Sequence, residues 1–274
     1  MIILYPERKR HLAPSLCMLL FLGLILLLSG CGPKVWTEPE LDQDPAVIWQ
    51  ELQARETEKL EQHQGYLLRS SLHYQSARNS SRLVFSLWGN FDLPLRLDLK
   101  AGIGTTLSHW RLGQDMSMAY YPRQDKVFVY QDPGQALQHL ELELPFTVPE
   151  IGEILTGRWA GLLPAEYARA RAVQGQGWEF EFPESSRLQS IIVDPELRIV
   201  QASGESPLAW ELEMGSFQDD QDAGHYASSL ELDMGQEGQA LFRIRELQLR
   251  KEDWPDSRLE LDPPQDVQYV PLAL

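Results

Sequence analysis

Cysteine is nearly absent from this 274-residue chain, which has only Cys17 and Cys31. No disulfide framework is available downstream of Cys31, and thiolate nucleophiles or thiolate metal sites are excluded there. Basic charge is also scarce: 24 Lys and Arg stand against 40 Asp and Glu, a formal charge of −16. Residues 1–30 contribute +2 of that through Arg8, Lys9, Arg10 and Glu7, leaving −18 on the remainder. A surface of this sign excludes nucleic acid, which rewards cations that neutralise phosphates, and it disfavours a polybasic grip on anionic lipid. Long apolar runs are lacking as well. The one apolar run, Leu16 to Leu28, falls short of the ~20 residues a membrane-spanning helix needs.

The motifs of common chemistries are missing too. The six histidines are scattered without a His-Glu-x-x-His pair, and no G-x-S-x-G elbow occurs. Gly102 and Gly104 lack the third glycine of a dinucleotide fingerprint, since position 107 is Leu. Acid pairs at Glu141 and Glu143, Glu179 and Glu181, Glu211 and Glu213, and Glu231 and Asp233 have the period of a strand face turned to water. Catalytic dyads need unlike environments that separate their pKa values. The cluster Asp219, Asp220, Asp222 and His225 invites a calcium-loop reading, but Gly224 offers no side-chain oxygen and His225 stands where the sharp turn needs Gly. The expectation is therefore no enzyme, no catalytic residues, no cofactor and no metal.

What is present begins with Leu28-Ser29-Gly30-Cys31, a lipobox preceded by a basic patch and the short apolar run. Cleavage before Cys31 and attachment of diacylglycerol to its thiol would anchor the chain, and two or three acyl chains hold where one is marginal. The expected location is the bacterial cell envelope, with membrane attachment through the lipid on Cys31. Gly32 stands second in the mature chain where Asp signals inner-membrane retention, which favours an outer-membrane position facing the periplasm. Residues 1–30 thus read as signal peptide, 31–45 as a Pro-spaced tether, and 46–274 as one folded domain.

Asp44 and Pro45 predict the start of a helix running to about Gln64, with Ile48, Leu52 and Leu60 on its apolar stripe beside Trp49. After Gly65 the period changes to two. Leu93 to Lys100 alternates Leu93, Leu95, Leu97 and Leu99 against polar residues; Leu83, Phe85 and Leu87 do the same, as do Met116, Met118 and Tyr120. Six successive strands by Tyr130 predict an antiparallel meander. Three short helices are expected next, at 133–142, after Val148-Pro149, and around Ala165 to Val173, acting as a cover. Strands then resume: Trp178, Phe180 and Phe182 alternate against acids, and Trp210 and Leu212 share a face opposite Glu211 and Glu213. Tyr226 to Met234 and Ala240 to Arg250 predict a hairpin, with a bulge near Arg245 where the apolar parity switches between Ile244 and Leu247. Val267, Tyr269 and Val270 suggest a last edge strand.

Several segments resemble the LolA/LolB lipoprotein-carrier family, its membrane-anchored LolB-like branch in particular. They are Tyr66-Leu67-Leu68-Arg69 entering the first strand, Leu95-Arg96-Leu97-Asp98-Leu99 followed by Gly102-Ile103-Gly104-Thr105-Thr106, and Phe146-Thr147-Val148-Pro149 through Gly157-Arg158-Trp159-Ala160-Gly161-Leu162-Leu163-Pro164. The resemblance implies a mainly β fold, an open antiparallel half-barrel of about 11 strands with a helical lid and an N-terminal helix. It also implies a cavity for the acyl chains of lipoproteins or other lipids, and a periplasmic LolA-like carrier as partner. The cavity would be lined by Leu83, Phe85, Leu95, Leu97, Met116, Met118, Trp178, Phe180, Trp210 and Leu212, with Ile151, Leu155 and Trp159 as lid. Ile103 would occupy the family's membrane-delivery loop, although Gly102 replaces the Pro found there. The tail after Gly235 is similar to LolA's rather than LolB's. Parity alone leaves two readings open, an open apolar cavity or an anchored interaction module with a filled core.

Overall fold

A computed structural model describes residues 44–102, 104–130, 142–220 and 224–272. Cys31, the helix expected at 133–142 in all but its last residue, and Ile103 lie outside them. Helix α1 (Pro45–Gln62) starts where Asp44 accepts a hydrogen bond from the Ala46 amide at 2.9 Å with Pro45 in the first turn, an arrangement that satisfies one open amide and needs no donor from proline. It buries Ile48, Trp49, Leu52 and Glu56, while Leu60 is 37% exposed. The expected stripe therefore turns one residue short of Leu60, and an acid takes the inward position.

Six strands follow as an antiparallel meander: β1 (Gly65–Gln75), β2 (Ser80–Asn90), β3 (Leu95–Ala101), β4 (Thr106–Leu112), β5 (Ser117–Tyr121) and β6 (Lys126–Tyr130). After helix α2 (Val148–Leu155) a second meander runs through β7 (Arg169–Val173), β8 (Gly177–Glu181), β9 (Leu188–Val193), β10 (Ile199–Gly204), β11 (Trp210–Asp220), β12 (Gly224–Asp233) and β13 (Gln239–Arg250). The two meanders join where β13 pairs with β1. A short helix α3 (Asp256–Leu259) leads to β14 (Gln268–Leu272), which pairs in parallel with β6. The result is one 14-stranded sheet in the order β14-β6-β5-β4-β3-β2-β1-β13-β12-β11-β10-β9-β8-β7, open between β14 and β7. The open antiparallel sheet with helices on it is thus present, with three strands more than expected. Among the described residues no helix is long and apolar enough to cross a membrane.

Two local expectations are overturned. The stretch around Ala165 to Val173 forms no helix: its second half is strand β7, where Arg169 pairs with Glu181 and Arg171 with Glu179 across β8. Opposite charges in facing positions favour pairing, and an edge strand carrying Arg resists further pairing. The parity of β5 is also the reverse of that expected. Ser117 and Ala119 are buried, Met118 is half-buried beside outward Val129, and Met116 is 42% exposed. Trp110 and Tyr130 stack at 5.4 Å on the inner side and fill the space there, so only small residues fit opposite them. By contrast the bulge expected near Arg245 is present: Arg69 faces Glu246 and Ser70 faces Ile244, leaving Arg245 as the extra residue.

Candidate functional site: the inner face and its cover

Since β6 and β7 lie on opposite flanks of the sheet, the segment joining them, which contains α2, belongs to neither meander. Its described part buries Leu142, Phe146, Val148, Ile151, Ile154, Leu155 and Trp159 in the same apolar cluster as the inward residues of β1 to β4 and β8 to β13. Of the residues expected to line a cavity, Phe85, Leu95, Leu97, Phe180, Trp210 and Leu212 are buried in this cluster, and Leu83 and Trp178 pack against it half-buried. Met116 and Met118 do not belong there, for the reason of parity given above. Ile151, Leu155 and Trp159 are on the covering segment and buried in the cluster.

Helix α2 is well made. Thr147 and Glu150 form a reciprocal capping box: the Thr147 amide donates to Glu150 Oε2 at 2.7 Å, and the Glu150 amide donates to Thr147 Oγ1 at 3.4 Å. The helix lies tight against the sheet at Gly152, where a Cβ would lie 2.2 Å from Tyr66 Oη and 2.9 Å from Tyr66 Cζ. Glycine is required here by space. Tyr66 is fully buried and its hydroxyl finds no hydrogen-bond partner among the described residues; burial pushes its pKa well up.

Polar contacts fasten the cover at both ends. At the start, Arg187 from β9's entry donates to Glu150 and to the Pro145 carbonyl. At the end, buried Glu56 of α1 accepts from the Trp159 amide at 2.6 Å and from Lys59 Nζ at 2.5 Å, while Lys59 also donates to the Gly157 carbonyl at 2.7 Å. Burial lowers the Lys59 pKa against the opposing pull of Glu56. Nearby, Arg158 lies over the Phe91 ring at 3.4 Å, and burial raises the Glu153 pKa although Arg158 opposes it. These fasteners were missed in the sequence. The spacing Ile48, Leu52, Glu56 places an acid on the apolar stripe, and Thr147-x-x-Glu150 is a capping signature, so both signals were there to be read.

Under α2 is a wholly apolar slot bounded by Leu72, Leu83, Phe85, Leu97, Leu144 and Ile151, with a volume of about 30 Å³. That holds a water or two and is far below the ~300 Å³ at which ligand pockets begin. The slot shares Leu142 and Leu144 with a wider recess of about 780 Å³ that is lined also by Tyr74, Arg78, Asn79 and Arg187. Among the described residues the inner face is thus closed, and the recess beside it has a mixed lining in which Arg78, Glu143 and Arg187 stand among Leu142, Leu144, Phe146 and Leu208. Beside the end of the cover, Asp219 hydrogen-bonds His225, whose ring stacks 5.4 Å from Phe217.

No family model matches the sequence, and no curated protein does. Solved structures do match the fold. A DUF1329 family protein from Desulfovibrio piger superposes with a TM-score of 0.56 at 11% identity, covering 80% of this chain and 98% of that one. A LolA superfamily protein from Nitrosomonas europaea superposes with a TM-score of 0.54 at 10% identity, covering 77% of this chain and 97% of its own. The chain is thus similar in fold to both of these proteins. At 10–11% identity the likeness is one of backbone architecture and carries no side-chain detail.

Proposed function

We propose that the protein is a lipid-anchored envelope protein, facing the periplasm from the outer membrane, that takes up acyl chains of lipoproteins or other lipids between its sheet and the α2 segment and helps deliver them to that membrane. It acts by binding and handing over, without covalent chemistry. The observation that carries this reading is the wholly apolar slot that shares Leu142 and Leu144 with a wider recess of mixed lining: an amphiphile would bury its chains against Leu83, Phe85 and Leu97 and leave its head beside Arg78 and Arg187. Burial of apolar surface supplies ~25 cal/mol per Å². Because the slot is small when closed, uptake requires the covering segment to lift. Its polar fasteners at Glu150 and Glu56 can be exchanged for water, unlike a seam of interlocked apolar side chains. Cargo would arrive from a periplasmic LolA-like carrier, and Ile103 would assist delivery.

The filled inner face favours one competing reading, an anchored interaction module without ligand. Lipid extraction separates the two. The protein is purified gently and extracted for mass spectrometry beside a Leu97→Glu variant, with circular dichroism to confirm folding. Acyl-bearing molecules present in the parent and lost from a folded variant support the carrier. A parent free of lipid that also fails to bind an added lipidated peptide overturns it.

A further inference from the structure

The outer face of the sheet divides its charge sharply. Across β11 and β12, Glu211 faces Asp233 and Glu213 faces Glu231, like charges in directly opposed positions. On the adjoining strands the sign reverses. A broad groove of about 1080 Å³ runs over β13, β1, β2 and β3 and contains Arg69, Lys100, Arg245, Arg250 and Arg258 against only Asp98 and Glu246. Its net charge is positive in a chain whose total is −16.

Arg69 is neutralised by Glu246 at 2.7 Å. Lys100, Arg245, Arg250 and Arg258 form no ion pair with any described residue. Two structural devices bring these cations together. The β13 bulge adds Arg245 to the outer surface without a cross-strand partner. The chain after β13 then crosses the outer face to reach β14, and it is pinned there: the Trp254 amide donates to Asn90 Oδ1 at 2.7 Å, Trp254 Nε1 to the Tyr66 carbonyl at 3.1 Å, and Leu259 is fully buried. This crossing supplies Arg258 and one indole wall, while Trp88 supplies another. The Arg250 guanidinium lies 4.3 Å from the Trp254 ring. Indole beside guanidinium is the combination that suits a membrane interface, where rings lie at headgroup level and cations meet phosphates.

The geometry points to this groove as a docking surface for the phosphate groups of an anionic lipid membrane, holding the domain with its β13-to-β3 side toward the bilayer and its acidic β11–β12 side away. Docking rests on the envelope-anchored reading above, which places the domain at a membrane; charge complementarity selects which side faces it. An acidic protein would use the same cations, but it would have no need of the two indole walls.

The test uses the full chain on vesicles of phosphatidylcholine alone or mixed with phosphatidylglycerol. The rate at which a water-soluble amine-acylating reagent modifies Lys100 is read by peptide mass spectrometry, with Lys126 as internal reference. Slower modification of Lys100 on anionic vesicles is expected, abolished in 1 M salt, where screening acts over ~3 Å. Arg245→Glu and Arg258→Glu should each weaken the docked state at least about fivefold, on a scale of ~1 kcal/mol per cation at such a surface. Equal Lys100 rates on both vesicles, with the protein bound to both, overturn the proposal and leave anchoring intact. Binding and Lys100 protection on anionic vesicles alone support docking and overturn stable anchoring. Protection produced by a soluble acidic protein and by neither vesicle overturns the lipid assignment.

Discussion

The close approach of α2 to the sheet yields a sharp test at Gly152 and Tyr66. Gly152→Ala in a helix interior gains ~0.8–1.0 kcal/mol of helix propensity. Its new methyl would meet the buried Tyr66 Oη at 2.2 Å, and overpacking of that kind costs ~1–3 kcal/mol. The clash outweighs the propensity gain, so a net loss of about 1 kcal/mol is expected, or ~2–4 °C in Tm for a domain of this size. Tyr66→Phe moves the other way, because it removes a buried hydroxyl that has no partner among the described residues; such a group costs ~1–3 kcal/mol to bury. In the double variant the nearest atoms become the ring carbon at 2.9 Å and Leu87 Cδ2 at 3.2 Å, so much of the loss should be recovered, a non-additivity of ~1 kcal/mol. Thermal unfolding gives the Tm values, and an apolar fluorescent dye reports whether Gly152→Ala also lifts the cover and admits ligand. Should Gly152→Ala raise Tm with Tyr66 intact, the close approach is wrong and the argument from it falls.

Other consequences can be measured with the same assays. Glu56→Ala leaves Lys59 and the Trp159 amide without their carboxylate, and breaking a buried pair by removing one partner should cost ~3 kcal/mol, read as a fall in Tm and greater dye uptake. Burial raises the Glu153 pKa in the folded state, so the stability its protonated form contributes is present below the ordinary value near 4.5 and lost as pH rises through the raised one. Glu153→Gln should therefore raise Tm at pH 7.5 and leave it unchanged at pH 4; an equal shift at both values refutes the assignment. Leu97→Ala should cost ~2–5 kcal/mol in urea unfolding, whereas Met116→Ser at its exposed position should stay within ~0.5 kcal/mol. Comparable losses at the two positions would reverse the β5 parity.

Much of this architecture can be read in the chain because period-two alternation over Leu83–Leu87, Leu93–Leu99 and Trp210–Met214 is strong, and a switch of parity at Arg245 admits only a bulge. Where the reading failed, a weaker local signal met a tertiary constraint. Ala165 to Val173 looks helical from its alanines, but β8 offers Glu179 and Glu181 at the spacing of Arg171 and Arg169, and pairing decides the outcome. At β5 both parities carry apolar residues, so Met118 and Ala119 compete for the inner side, and the stacked pair of Trp110 and Tyr130 excludes the larger one. The cover's location is legible, and so are the groups that fasten it, Glu56 on an apolar stripe and Thr147-x-x-Glu150; their partners are not, since a contact such as Glu56 to the Trp159 amide joins residues 103 apart in sequence, and no local pattern encodes a partner at that distance.

The segment that carries α2 is attached next to one flank of the sheet, through β6, and to the opposite rim, through β7. A flap hinged at a single point can swing away and leave its frame unchanged. A string tied near both tips of a bow cannot: to rise from the wood it must slacken, and it slackens only as the bow bends further. A guest seated beneath this segment would therefore be felt by both meanders at once, since each holds one end of the string.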